Sequence, residues 1–207
     1  MAAPSYDWLD SMIWSVGISS ILIGVAALRT KLSQGKIDNH NEIAPLAYVL
    51  LLIGVFLFVS GLAIGIIWPF PMSGGVYNVL FSGASALGGI VLLSISTALL
   101  RNSDLRFISY LAFFFGIYLF VAAYSIASYR LTRTPEFSTA IFALLGLSSV
   151  LSLPAVYTGN KTLLRVFGII VIITGLLWLY EAANVTYGHL APPPPTTTTP
   201  TTTPKTS

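Results

Sequence analysis

Glu181 is the ionisable residue most open to a chemical role, because it lies inside a long apolar run. A charged group in the hydrocarbon of a membrane costs a few kcal/mol even on mild insertion scales, so such a residue is a functional candidate. It follows Arg165 by about sixteen residues, which is about 24 Å along a helix and places it near one edge of the hydrocarbon. Trp178 and Asn184, one turn away on either side, share its helix face. The spacing predicts an outer vestibule that holds Glu181 and Asn184 and is lined by Trp178.

Polar residues of other apolar segments fall at the same predicted depth. Asp10 opens the first segment, Tyr77 and Asn78 open the third, and Glu136 opens the fifth. In a single bundle these residues would ring the outer end together with Glu181. The full set of candidate vestibule residues is Asp10, Tyr77, Asn78, Glu136, Trp178, Glu181 and Asn184.

Each of the two main carboxylates also has a simpler interpretation. Glu181 could be an interfacial carboxylate paired with Arg130 or Arg133, with Trp178 in the aromatic belt of the membrane. Asp10 could be the N-cap of the first helix. The sequence leaves both alternatives open.

Residues for other chemistry are scarce. Cysteine is absent, so disulfides and thiolate metal sites are excluded. His40 and His189 lie outside the apolar segments, which argues against a transmembrane haem. Asp38, His40 and Glu42 alternate in a polar loop, which is more typical of a solvated loop than of a metal site. Nucleotide-binding and hydrolase motifs are also lacking. The sequence therefore predicts no catalytic residues, no metal, no cofactor and no enzyme activity.

Composition identifies the medium in which the chain folds. The 207 residues are 55% hydrophobic and 8% charged, and the mean hydropathy is +0.83. Soluble domains carry about 25% charged residues, so a soluble fold is excluded and the lipid bilayer is the expected partner. The ten basic residues form no clustered stripe, so nucleic acid is not an expected partner.

Six apolar segments are long enough to cross a membrane as helices, which needs about 20 residues each. We therefore predict an all-α integral membrane domain over residues 1–190, followed by a disordered tail over residues 191–207. The predicted spans are 10–29, 44–68, 76–100, 106–129, 137–158 and 163–185.

The basic residues of the short loops predict the orientation, because cytoplasmic loops are enriched in Lys and Arg. With both termini outside, seven basic residues face the cytoplasm and three face outward. The inner set is Arg29, Lys31, Lys36, Arg101, Arg106, Lys161 and Arg165, and the outer set is Arg130, Arg133 and Lys205. We expect a multi-pass protein of the cell membrane with both termini extracellular.

The tail agrees with this orientation. Residues 191–207 read APPPPTTTTPTTTPKTS, a composition typical of O-glycosylated extracellular stalks. The alternative is a solvated tail without a role. Asn184-Val185-Thr186 is a glycosylation sequon on the same side, close to the membrane.

The even-numbered spans resemble one another when they are aligned on Gly54, Gly116 and Gly175. We interpret the resemblance as a helical hairpin used three times, an arrangement common in transport proteins. Gly61 and Gly65 form a GxxxG motif, and the third span is rich in small residues. Such faces seat a neighbouring helix closely or line a narrow pore, and close packing is the favoured interpretation.

Two families resemble the sequence. The six spans, the Trp68-Pro69 turn followed by Tyr77-Asn78, and the Arg29 and Arg101 helix ends resemble an archaeal family of predicted multi-pass membrane proteins of unknown function, over about residues 5–188. Residues 175–184, GLLWLYEAAN, are similar to part of the last helix of the six-span urea and amide channels. That likeness implies homo-oligomeric rings with a pore in each subunit. The gating histidines of those channels are missing, since only His189 lies outside.

Two functional hypotheses are favoured over a third, a membrane enzyme, because no two catalytic groups share a plausible site. The first is a passive channel or facilitator for a small neutral solute, which the repeat, the small-sided third span and the scarcity of buried charge favour. The second is an accessory or structural subunit of a membrane complex that displays a glycosylated tail. The chain is expected to be a homo-oligomer in the first case and a membrane-complex subunit in the second.

Overall fold

The computed structural model describes residues 8–69 and 75–190, and these form six long helices and one short β-hairpin. The tail over 191–207 and most of the turn over 68–75 lie outside the described residues. The elements are α1 Leu9–Arg29, β1 Leu32–Ser33, β2 Lys36–Ile37, α2 His40–Ile67, α3 Val76–Arg101, α4 Arg106–Tyr129, α5 Pro135–Thr158 and α6 Lys161–Leu190.

All six helices are long and apolar enough to cross a membrane, which confirms the prediction of an all-α chain with six such helices. The segment boundaries differ at two places. Helix α2 begins at His40, so Pro45 lies inside the helix, where it has no backbone N–H to donate to the carbonyl of Asn41. Helix α6 continues beyond the apolar run to Leu190. Below, the outer end is the end where α1, α3 and α5 begin, and the inner end is the opposite one.

Three helix pairs pack extensively: α2 with α3, α4 with α5, and α6 with α1. The remaining neighbours in chain order, α1–α2, α3–α4 and α5–α6, pack less extensively. Since α6 returns to α1, the bundle consists of three close pairs separated by looser seams.

Glycines at the helix crossings explain the close approach of each pair. A Cβ placed on Gly89 of α3 would lie 2.5 Å from the backbone nitrogen of Phe58 in α2. One on Gly116 of α4 would lie 2.7 Å from the carbonyl oxygen of Gly146 in α5, and one on Gly24 of α1 would lie 2.7 Å from that of Gly168 in α6. Backbones this close leave no room for a side chain, as expected where small residues drive helix association.

The inner end carries a β-hairpin where the sequence predicted only a polar loop. Gln34 and Gly35 both have positive φ, as a two-residue hairpin turn requires, and Leu32 pairs with Ile37 across it. The carbonyl oxygen of Gly35 accepts a hydrogen bond of 2.9 Å from the backbone N–H of Leu105, which precedes α4. The hairpin is thereby attached to the α3–α4 connection as well as to its own helices.

Asn39 anchors the hairpin to α1 and α2. Its side-chain oxygen accepts from the Lys31 backbone N–H at 3.0 Å. Its side-chain nitrogen donates to the Arg29 carbonyl at 3.2 Å and to the Glu42 carboxylate at 3.0 Å. His40 is hydrogen-bonded through Nε2 to the carbonyl of Leu99 in α3. The inner loop is an ordered cap across helix ends.

Candidate functional site

An outer cavity of about 120 Å³ lies inside the bundle, and every one of the six helices contributes to its wall. The lining is mainly apolar, and the described side chains that form it are uncharged. The polar members of the wall are four serines and one indole: Ser19, Ser20, Ser85, Ser149 and Trp178.

Trp178 is the predicted vestibule residue that reaches this cavity. Its side chain is 5% exposed, and its ring lies 5.3 Å from that of Phe142, which lines the same cavity. The indole Nε1–H is buried and has no hydrogen-bond partner among the described residues. Buried tryptophan N–H groups usually have a partner, so this donor is unusual.

An inner cavity of about 110 Å³ occupies the other half of the bundle. It is also walled by all six helices, and its described lining residues are uncharged. Ile23 of α1 lines both cavities, so the two are neighbours along the bundle. Leu32 and Ile37 of the hairpin line the inner cavity, and Ile37 is only 6% exposed. The hairpin therefore covers the inner cavity at the inner end of the bundle.

Asp10 lies in the first turn of α1, because that helix begins at Leu9 with Trp8 at the cap position. The N-cap interpretation of Asp10 is therefore wrong. A carboxylate in the first turn still stabilises the helix, because it interacts favourably with the positive end of the helix dipole. Both carboxylate oxygens contact Nδ1 of His189 near the end of α6, at 2.9 and 3.1 Å. Asp10 thus ties α1 to α6 at the outer end.

Glu136 pairs with Arg130 at 3.1 Å, and both side chains are exposed. The alternative pairing of Arg130 with Glu181 is therefore not the arrangement found. Glu181 is half-buried on α6, and within residues 8–69 and 75–190 it has no ion pair. It lies one helical turn from Trp178, toward the outer end.

The remaining three candidates have different surroundings. Asn78 is fully buried, and Tyr77 stacks on Phe81, a cavity-lining residue, with ring centroids 5.8 Å apart. Asn184 is exposed. Thr186 of the sequon lies within α6 and accepts a hydrogen bond of 3.1 Å from the indole of Trp14. The predicted set thus divides into residues on the cavity side and residues on the bundle surface.

A family model described as "Protein of unknown function (DUF981)" matches residues 1–192. The chain belongs to the DUF981 family. No curated protein and no solved structure matches the chain.

Membership in DUF981 confirms the prediction of an uncharacterised family. The match covers all six helices and ends just after α6. An archaeal origin and the likeness to urea and amide channels stay predictions from the sequence.

Sequence reasoning missed that this DUF981 chain has two internal cavities. Most of the polar residues in the wall of the outer cavity are serines. A serine in an apolar helix is as typical of a contact between helices as of a residue that lines a cavity. Several buried hydroxyls donate to a carbonyl in the preceding turn of their own helix, as Ser96 does to Leu92 at 2.7 Å and Ser148 to Leu144 at 2.8 Å. Ser85 and Gly88 lie one turn apart on α3, and both line the outer cavity. This pair of small residues on one helix face is the sequence feature that could have indicated the cavity.

In this DUF981 chain, the residues Asp38, His40 and Glu42 do not share a common contact. His40 contacts Leu99 and Glu42 contacts Asn39, as described above. Among residues 8–69 and 75–190, no group of three such side chains is positioned to hold a metal ion.

An ion pair at the inner end should make stability depend on pH. Asp104 accepts from the Arg106 guanidinium at 2.6 Å, and this hydrogen bond lowers the pKa of the Asp104 carboxyl below its ordinary value. A lowered folded-state pKa means that the pair stabilises the fold above about pH 4 and that this contribution is lost as pH falls through the lowered pKa. We expect Asp104→Asn to be less stable than wild type near neutral pH and to lose less stability on acidification. Unfolding curves in detergent between about pH 6 and pH 3 measure both, and equal acid sensitivity of the two proteins would contradict this role.

Proposed function

We propose that the chain is a passive channel or facilitator for a small neutral solute in the cell membrane. The observation that carries the proposal is the pair of uncharged cavities that follow one another inside the bundle, each walled by all six helices and sharing Ile23. The two cavities together follow the long axis of the bundle, which is the direction that a solute takes when it crosses the membrane. On this proposal the chain performs no chemical step and needs no cofactor or metal.

The chemistry of the walls favours an uncharged solute. Moving an ion into an apolar cavity without a counter-charge costs far more than moving a neutral molecule. The outer cavity is slightly smaller than the cavity of about 150 Å³ that binds benzene in a protein core. The solute is thus limited to about six non-hydrogen atoms, the number in benzene.

The proposal includes the predicted hairpin repeat. Gly54, Gly116 and Gly175, which align in sequence, each lie at a crossing with a glycine of the partner helix. The carbonyl of Gly54 lies 2.8 Å from a Cβ built on Gly89; Gly116 approaches Gly146, and Gly175 approaches Gly17. The repeating unit is a pair of helices, an even-numbered one and the odd-numbered one that follows it. The three pairs are α2 with α3, α4 with α5, and α6 with α1.

Both termini are proposed to be extracellular, on the strength of the basic residues at the inner end. Because the chain has no cysteine, single cysteines report their side without background. Ser33→Cys in the hairpin and Thr134→Cys before α5 both replace exposed residues. In intact cells, a membrane-impermeant maleimide should label Thr134→Cys and should label Ser33→Cys only after lysis. The reverse pattern would place the termini inside.

Solute flux tests the channel directly. Proteoliposomes exposed to an acetamide gradient should re-swell faster than empty liposomes, with no increase in sodium permeability. Absence of any excess flux would reject the channel.

Glu181 is proposed to contact the solute before it reaches the outer cavity. A hydrogen bond to a carboxylate is about twice as strong as one between neutral groups, so Glu181→Gln should lower acetamide flux several-fold. Glu42→Gln is the matched control, since Glu42 is exposed at the opposite end and a glutamine can still accept from Asn39. Unchanged flux in Glu181→Gln would remove Glu181 from the route.

The second candidate function is an accessory or structural subunit of a membrane complex. The observation that favours it is the ordered hairpin, since a bundle covered at its inner end also suits a protein that only assembles with others. Native mass determination after gentle extraction separates the two functions. A homo-oligomer alone supports the channel, and a fixed set of other chains supports the subunit.

A further inference from the structure

Trp178 combines burial with an unused hydrogen-bond donor. Leaving a buried donor unsatisfied destabilises the fold, because the group loses its hydrogen bond to water and gains none in exchange. The other three tryptophans are 37–47% exposed, so none of them carries this cost. The Trp178 side chain lines the outer cavity, and its indole N–H is buried without a hydrogen-bond partner among the described residues.

The wall of the cavity defines what can use this donor. Met12, Ile13, Leu57 and Phe115 supply apolar surface from α1, α2 and α4, and carboxylates and basic groups are absent from the described lining. The hydroxyl of Ser19 already donates to the Val16 carbonyl at 3.1 Å. The complementary molecule has an apolar body and one oxygen that accepts a hydrogen bond.

We infer that the outer cavity binds a small uncharged carbonyl compound, an amide or a ketone, whose oxygen accepts a hydrogen bond from Nε1–H of Trp178. Water alone would leave most of this apolar wall without contacts, even though the serine hydroxyls of the wall could serve as its hydrogen-bond partners. The inference deepens the proposed function by naming its solute class, and it rests on that function only for passage of the solute across the bundle. Binding itself is measured separately.

Two probes of nearly equal size isolate the hydrogen bond. Cyclopentanone and methylcyclopentane each have about six non-hydrogen atoms, the same number as benzene, so each is close to the largest ring that a cavity of about 120 Å³ holds. Only cyclopentanone has an acceptor oxygen. A difference between the two therefore reports the N–H group and not the filling of apolar space.

The experiment uses the full chain in lipid nanodiscs with ¹⁵N-labelled tryptophan and ¹³C-labelled methionine methyl groups. The spectrum should contain four indole N–H signals, and the one missing in Trp178→Phe belongs to Trp178. Cyclopentanone should move that signal downfield in a saturable manner while the other three indoles respond weakly. The Met12 methyl group, in the same cavity, should respond to both probes.

Trp178→Phe supplies the quantitative test, because it removes the donor and keeps an aromatic ring. Losing one hydrogen bond should weaken cyclopentanone binding at Met12 about tenfold and leave methylcyclopentane binding nearly unchanged. A saturable Met12 response with no movement of the Trp178 signal would overturn the inference. So would no saturable response to either probe, or a Trp178 N–H that stays bonded to water when cyclopentanone is present.

The flux assay keeps this inference distinct from the proposed function. Saturable cyclopentanone binding without acetamide flux would retain the site and reject the channel. Acetamide flux without a bound carbonyl at Trp178 would retain the channel and reject the site.

Discussion

Gly61→Ala is expected to lower the free energy of unfolding of the bundle by about 1–3 kcal/mol, the usual cost of inserting a methyl group into a packed contact. A Cβ on Gly61 would lie 2.5 Å from the backbone nitrogen of Ala86 and 2.9 Å from the carbonyl oxygen of Ser82. Both are backbone atoms of α3, so no side chain can rotate away. The helices α2 and α3 would have to separate, and their close contact at this crossing would be lost.

Gly65→Ala is the matched control, one turn further along the same helix. A Cβ there would meet the Ser82 side chain at 3.5 Å, an ordinary contact distance. Alanine is favoured over glycine inside a helix by about 0.5–1 kcal/mol, so Gly65→Ala should be neutral or slightly stabilising. Unfolding of the two variants in the same detergent mixture compares them directly. Equal stability of both would mean that α2 and α3 are not held at the distance described.

This pair of glycines shows the reach and the limit of a sequence motif. The GxxxG spacing correctly predicts that α2 presents a small-sided face to another helix. It cannot tell which glycine is at the crossing, because that depends on the crossing angle and on the register with α3. Gly61 lies against backbone and Gly65 lies against a serine side chain, although the motif treats them alike.

The six helices themselves were predictable, because each must present about 20 apolar residues to lipid and internal hydrogen bonds alone can satisfy its backbone. Their pairing was not. Apolar helices give weak signals about which neighbour they contact, since the lipid and the protein interior favour the same side chains. The contact of α6 with α1 joins residues far apart in the chain, such as Gly168 and Gly24, and no local pattern announces it.

For the candidate site, the sequence predicted which residues lie toward one end of the helices and little about what those residues contact. Trp178 and Glu181 both lie on α6, but Trp178 lines a cavity and Glu181 lies beyond it toward the outer end. The contact of Asp10 with His189 depends on α1 and α6 being neighbours, so it could not be predicted before that pairing was known. The one local signal for the hairpin was Gly35. A glycine is common in polar loops, so it did not by itself predict a β-hairpin.

Gly35→Ala is expected to release the hairpin from the inner end. Gly35 has φ of +80°, a conformation that costs an L-residue about 1–2 kcal/mol. A Cβ would also lie 2.1 Å from Oδ1 of Asp104 and 2.9 Å from the side chain of Arg106. Alanine therefore disturbs the turn and the ion pair against which it packs. The helices are not altered, so the variant should fold with a loosened cap.

The opening can be measured at Ile37, which is buried against the inner cavity. In an Ile37→Cys background, adding Gly35→Ala should raise the maleimide labelling rate about tenfold or more, since about 1.4 kcal/mol of lost closure is a tenfold change in the open population. Gly188→Ala is the control, because a Cβ there meets nothing within 4 Å. If the hairpin also limits solute entry, acetamide flux should rise with the labelling rate. Faster labelling without faster flux would show that the hairpin covers the cavity but does not control passage, whereas unchanged labelling would refute the proposed closure itself.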